Sequence, residues 1–406
     1  MLKEIEVAEA LNLLLGVQVK PYIETVPIGE ALGRVAAESV SAGIPFPPFD
    51  RSPFDGYAFR AEDTKDASRE NPVTLSIRQE IPAGHTPKEA VALGQAAKIL
   101  TGAPIPSGAN AVVKFEETEF TKDNVTIFAP ADAGKNIVLM GEDIPAGAEI
   151  LEKGAEIVPA IMGLLAAQGL ESVKVFKKPI ITVINTGCEL AELGKPLPPG
   201  MIYNSSMFTL KGFIAKMGAD FRDGGLVGDD ENAIAERVRA EIAVSDMVIT
   251  TGGASVGDYD RAAAAAECAG ADILFWKVRM RPGGSLLAYL LDGKLVLALS
   301  GNPGAAVLGL LLLGLPCVKK RRGLKDVLPE ECIVKLADDV KKKSPRKRIM
   351  RGYLKIENGE AIFVENAGQG GGDISSLIHC DLLAEIPEGS PPLKAGTSLK
   401  AYRLFL

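Results

Sequence analysis

The chain has 406 residues, beyond the size at which one core usually keeps growing, so two to four structural units are expected. Its hydrophobic fraction of 47% and charged fraction of 24% are those of a globular protein. A net charge of −7 argues against a broad nucleic-acid surface and leaves room for a local basic pocket that takes an anion. The two histidines, His85 and His379, lie far apart, and the five cysteines are scattered singly with no C-x-x-C pair. A Ser-His-Asp triad, a histidine-rich metal site, a disulfide framework and a zinc knuckle are therefore disfavoured, and carboxylates must carry most acid, base or metal chemistry.

The first residues, Met1 to Val7, carry acids where a secretory leader would carry a basic and then an apolar region. The longest apolar run, Val307 to Pro316, is half of the ~20 residues a membrane helix needs, so a cytoplasmic protein with no membrane span is expected. Val7, Leu11, Leu14 and Leu15 recur at helical spacing, and a new element begins at Ile28. Between Ile44 and Ala58, four prolines in nine positions hold the chain extended, and Asp55-Gly56 supplies a turn. That stretch reads as a linker or as a rigid loop presenting Ser52 and Asp55 to a ligand. From Ala58 to Val138 short strand-like pieces (Val73 to Ile77, Ala97 to Leu100, Ala111 to Phe115, Val125 to Phe128) suggest a small β unit inserted into a larger one. Within it, Thr101 to Asn110 is a plain connector or an anion-holding turn. A helix follows from Pro159, where proline suits a helix start, to Gly169.

The central region alternates strands and helices. Ile180 to Ile184 runs into Asn185-Thr186-Gly187-Cys188-Glu189, and Asp246 to Thr250 runs into Thr251-Gly252-Gly253-Ala254-Ser255-Val256-Gly257-Asp258-Tyr259-Asp260. Both are β-branched runs ending in glycine-bearing turns, the pattern of buried parallel strands, whose carboxyl ends share one ligand crevice. Asn204 offers an N-cap for a helix through Lys216, and Asp292-Gly293 is the strongest hairpin signal in the chain. Ser300-Gly301-Asn302-Pro303-Gly304 opens an apolar helix, and residues 328 to 406 return to alternating strands that fit a small barrel or sandwich. The basic runs Lys341-Lys342-Lys343 and Arg346-Lys347-Arg348 read first as solvated faces.

The crevice offers Glu189, Asp229, Asp258 and Asp260 from successive strand ends, a set whose mutual repulsion a divalent cation would offset. Gly252, Gly253 and Gly301 let a ligand approach the backbone, and Lys277 and Arg281 could neutralise anionic groups. Together these describe a site for a phosphorylated ligand and a divalent cation.

In these motifs, and in Ser52-Pro53-Phe54-Asp55-Gly56-Tyr57-Ala58, Thr101-Gly102-Ala103-Pro104 and Gly141-Glu142-Asp143-Ile144, the chain resembles the MoeA-type molybdopterin molybdenumtransferases over nearly its whole length. The resemblance implies an α/β multidomain protein. Its parts would be a discontinuous, partly helical linking domain (1–25, 42–52 and 140–177), a β-rich inserted domain (26–41 and 53–139), an α/β molybdopterin-binding domain (178–325) and a C-terminal β-barrel-like domain (326–406). It also implies a homodimer, with a molybdopterin adenylyltransferase as a further partner, acting on adenylylated molybdopterin and molybdate or tungstate with Mg²⁺ and releasing AMP. By matching motifs, Asp55, Asp143, Glu189, Asp229 and Asp260 would be catalytic, and Glu189, Asp229 and Asp260 would hold the metal. Ser52, Thr101, Thr186, Gly187, Gly252, Gly253, Ser255, Lys277, Arg281, Gly301, Asn302 and Arg351 would bind substrate, with Asp55, Thr101 and Asp143 entering from the partner subunit. The family commonly has an acid at Cys188, lysine at Gly284, proline at Ser285, proline at Ser300, methionine at Phe54 and serine at Gly371. Those departures motivate an alternative reading, a paralogue that binds or carries molybdopterin without inserting metal. A third reading, hydrolysis of another pyrophosphate-containing nucleotide, leaves the flanking domains unexplained.

Overall fold

The structure, a computed structural model, describes residues 2–252 and 259–404, with Tyr259 and Asp260 described by backbone alone. Gly253 and Ser255, and the side chain of Asp260, lie outside the described residues.

Seven described strands form one mixed sheet, in the order Leu2–Ile5, Asp272–Val278, Leu287–Leu291, Lys294–Leu299, Met247–Thr251, Ile180–Thr186 and Asp220–Val227. Ile180–Thr186 is parallel to both its neighbours and is buried from Ile181 onward, which is why its sequence is a continuous β-branched run rather than an alternation. The chain leaves it for Asp220–Val227 on one side and then crosses to Met247–Thr251 on the other. The carboxyl ends of the first and third of these strands therefore flank a topological switch point. Local signals act as expected around it. The Asn204 side chain accepts from the Met207 N–H at the start of the Ser205–Lys216 helix. Asp292 and Gly293, both at positive φ, turn the Leu287–Leu291 strand into Lys294–Leu299.

Two expected domain assignments change. Leu2–Ile5 pairs in parallel with Asp272–Val278, and the Val7–Gly16 helix buries Ala10 and Leu14 in the same core. The chain thus begins in the α/β sheet, not in the linking unit. Ile23–Pro27 pairs with Ser172–Phe176, Val40–Ser41 pairs with Glu149–Leu151, and Ala31, Ala36 and Leu165 share one core. Residues 26–41 accordingly pack with the linking unit and not with the β-rich insert. The insert is a six-stranded sheet that runs from Gly56–Phe59 to Asn124–Ile127 in sequence.

Beyond the apolar helical run Pro303–Arg321, five strands from Glu330–Leu336 to Ser398–Arg403 close a barrel. That run is long and apolar enough to cross a membrane, yet it is 83% buried inside the protein, where it fills the core beneath the mixed sheet. Arg281 connects barrel and sheet: its N–H donates to Lys347 O, and its carbonyl accepts from the Ile349 N–H.

Candidate functional site

At the switch point the chain leaves Thr186, whose hydroxyl donates to Thr251 O at 3.1 Å and so ties the two strand ends together. Gly252 has φ +98°, and a Cβ there would lie 2.4 Å from Thr186 O; only glycine allows the two loops to come this close. Three side chains converge beside it: the Cys188 sulfur and a carboxylate oxygen from each of Glu189 and Asp229 lie within 4.8 Å of one another. Cys188 and Glu189 are exposed and Asp229 is half-buried, so the trio opens to solvent rather than into the core. Asp229 Oδ2 accepts the Cys188 N–H at 3.4 Å and lies 3.4 Å from Arg261. The donor set suits a divalent cation, since an ion there would relieve the repulsion between two carboxylates held on adjacent loops.

A second feature is a cavity of about 420 Å³ where sheet, helix and barrel meet. Lys277, Arg281 and Arg346 supply its cations, and Ser285, Ser300 and Asn302 its polar side chains. Lys277 has φ +63° and places its ammonium 4.2 Å from the Trp276 ring centre. Arg346 is 3.8 Å from Glu4, the one carboxylate on the lining. Three cations, one of them paired with Glu4, give this small cavity the charge to attract an anion. Arg346 was read from sequence as part of a solvated basic run; its place here depends on the barrel docking against the sheet, which no local pattern records.

The surroundings of Arg351 correct its expected role, and those of Gly284 explain why it is glycine. Arg351, expected to hold an anion, is fully buried, and its guanidinium donates to Asp373 O at 3.2 Å and Gly370 O at 2.8 Å. It fastens the 369–373 loop, whose Gly371 O accepts the Ala305 N–H at 2.9 Å, onto the start of the Pro303–Gly309 helix. Burial lowers its affinity for a proton, with Cys380, Asp373 and Glu365 opposing that. Gly284, where the family carries lysine, has no room for any side chain: a Cβ would lie 2.3 Å from Met280 O and 2.4 Å from Val278 O. A Gly284→Lys substitution would therefore move the backbone and could not serve as a test of added charge.

Asp55 and Thr101 meet elsewhere, on the insert. Asp55 Oδ1 accepts the Thr101 N–H at 2.7 Å and its hydroxyl at 2.8 Å, and these two bonds hold the carboxyl below its usual range. Ser52 is buried and spends its hydroxyl on Phe54 O at 2.6 Å, so it shapes the loop rather than facing a ligand. Asp143 is exposed on the next loop, its N–H donating to Phe46 O. Among the described residues no hydrogen bond or ion pair joins this group to Glu189 or Asp229. Gly301 and Asn302 are exposed; Asn302 lines the cavity, and Gly301 O accepts from the Ser206 hydroxyl at 3.4 Å.

Family models match in three consecutive blocks: "MoeA N-terminal region (domain I and II)" over residues 5–169, "Probable molybdopterin binding domain" over 182–320, and "MoeA C-terminal region (domain IV)" over 334–404. The molybdopterin molybdenumtransferase of Staphylococcus aureus strain COL is 35% identical over 392 residues, 97% of this chain and 94% of its own length, and that of Staphylococcus epidermidis is 34% identical over the same shares. The molybdopterin biosynthesis MoeA protein of Pyrococcus horikoshii OT3 superposes with a TM-score of 0.83 at 32% identity, covering 98% of this chain and 100% of its own. A molybdenum cofactor biosynthesis protein from Pyrococcus furiosus, at 19% identity and a TM-score of 0.58, shares the fold. With relatives this similar along nearly its full length, the chain belongs to the MoeA family.

Proposed function

We propose that the chain is a molybdopterin molybdenumtransferase. It takes adenylylated molybdopterin and molybdate or tungstate, hydrolyses with one water the phosphoanhydride that joins AMP to the pterin, and releases AMP with the metal-loaded cofactor. The observation that carries this reading is the convergence of Cys188, Glu189 and Asp229 at the switch point of a domain matched by the molybdopterin-binding model. Glu189 and Asp229, with Asp260, would hold a divalent cation, which would neutralise the two phosphates whose bridging P–O bond breaks. The half-buried Gly252 and the exposed Gly301 would give the phosphates backbone to lie against. Lys277 and Arg281, assisted by Arg346, hold the oxyanion substrate. The dithiolene sulfurs that receive the metal belong to the substrate, so no pair of protein cysteines is needed.

The Asp55–Thr101 pair and Asp143 complete the cleft when a second copy of the chain brings its insert to this crevice, as the family resemblance implies. A cytoplasmic homodimer supplied by a molybdopterin adenylyltransferase is the setting that the family resemblance implies.

The test is AMP release from adenylylated molybdopterin by the purified protein with Mg²⁺, with and without molybdate or tungstate. We expect release that depends on the oxyanion and falls by about a hundredfold or more in Glu189→Gln and in Asp229→Asn. Tight substrate binding without AMP release under either oxyanion would overturn the transferase reading and leave a pterin carrier.

A further inference from the structure

The trio at the switch point differs from an all-oxygen site in one atom. Cys188 sits where the family commonly has an acid, and its sulfur lies within 4.8 Å of carboxylate oxygens of Glu189 and Asp229. Magnesium demands oxygen ligands near 2.1 Å in octahedral geometry and sheds water reluctantly, whereas a thiolate selects borderline and soft ions. An ion bonded at about 2.3 Å to sulfur and about 2.1 Å to oxygen sets its ligand atoms roughly 3.5 Å apart. The exposed side chains of Cys188 and Glu189 close that remaining gap by rotation toward the half-buried Asp229. The loops are already tied, because the Cys188 N–H donates to Asp229 Oδ2. Arg261 also faces Oδ2, which leaves Oδ1 without a described partner.

We propose that Cys188 makes the cation site of this chain thiophilic, so that it takes Zn²⁺ or Co²⁺ in preference to Mg²⁺. The inference rests on the transferase reading for the existence of a metal site and goes beyond it in naming the ion. On binding, the thiol proton leaves to solvent as the metal–sulfur bond forms, and Glu189 and Asp229 complete the charge balance. The same sulfur makes the site sensitive to oxidation, since a sulfenic acid no longer offers a thiolate ligand.

Co²⁺ titration of the full-length reduced protein tests this without any turnover. Wild type should develop a near-ultraviolet thiolate-to-cobalt charge-transfer band at one equivalent, displaced by equimolar Zn²⁺ and retained under a large excess of Mg²⁺. Cys188→Ser should lose the band and weaken Co²⁺ binding by about tenfold or more. Cys188→Asp should lose the band yet regain Mg²⁺ competition, with unchanged thermal unfolding confirming that both variants fold. A band that persists in Cys188→Ser, which would place the metal on another cysteine, overturns the proposal, as does displacement of Co²⁺ from wild type by Mg²⁺ at comparable concentration. AMP release with Zn²⁺ or Mg²⁺ is scored separately: absence of release with a Cys188-dependent band refutes the transferase reading alone, and release with no band refutes the ion choice alone.

Discussion

Arg351 shows how residue type and residue role separate. The family resemblance marks Arg351 as an anion ligand, but here the guanidinium is fully buried and already donates to Asp373 O and Gly370 O, with Nε unpartnered among the described residues. A buried cation that supports a loop contributes through those bonds, each worth about 1.5–3 kcal/mol when the donor is charged. Arg351→Met keeps much of the volume and removes both bonds, so it should destabilise the protein by about 3 kcal/mol, read as a lower urea midpoint at unchanged slope. The oxyanion KM should rise far less in Arg351→Met than in Arg281→Ala, whose side chain lines the cavity and has no described ion-pair partner. A variant of Arg351 with full stability and a large KM effect would return the residue to the substrate. Asp55 works in the opposite sense. Its carboxyl is held below the usual range by Thr101, so the contribution of that contact is complete above the ordinary carboxylate pKa and is lost as pH falls through the lowered value.

The Pro303–Arg321 run is mostly buried, and Cys317 sits within it with its thiol donating to Leu313 O. Burial pushes that thiol up to about 12 from an ordinary value near 9. The folded state therefore keeps a proton that the unfolded chain sheds, and stability falls as pH climbs from about 9 toward 12, by about 1 kcal/mol per pH unit for this group. Cys380, pushed up to about 11, and Tyr289, raised by burial, act in the same direction. A melting-temperature series from pH 8 to 11 should decline above pH 9, and Cys317→Ala should flatten but not abolish the decline; an identical slope in the variant would remove Cys317 from the account. At this scale much of the fold was legible. The Asn204 cap, the Asp292-Gly293 turn and the β-branched runs at Ile180 and Met247 each carry their reason within a few residues. What was not legible is pairing at a distance. Nothing local in Leu2–Ile5 announces a parallel partner at Asp272–Val278, and nothing in Ile23–Pro27 announces Ser172–Phe176. The same limit hid Arg346 in a basic run and gave Ser52 an outward role, because which side of a loop is buried is decided by the element that docks on it.

Across the whole molecule, the proposed chemistry is divided between two bodies of one chain. Glu189 and Asp229 stand at the carboxyl ends of the mixed sheet, whereas Asp55 and Thr101 bond each other on the insert, with no described hydrogen bond or ion pair between the groups. If one active cleft takes its metal ligands from one copy and Asp55 from the other, a symmetric dimer contains two such clefts. Defects in the two halves should then complement. Glu189→Gln and Asp55→Asn, each inactive as a homodimer, are unfolded together at equal amounts and refolded. Half of the dimers are then mixed, and each mixed dimer has one cleft with both defects and one with neither. AMP release should return to about a quarter of the wild-type rate. A cleft assembled within a single copy cannot be rescued this way, because each subunit keeps its own defect. Mixed dimers verified by differential tags but without recovered activity would therefore place Asp55 and Glu189 in the same subunit's site. The quarter-rate recovery would instead mean that folding alone leaves the site half built and that assembly completes it.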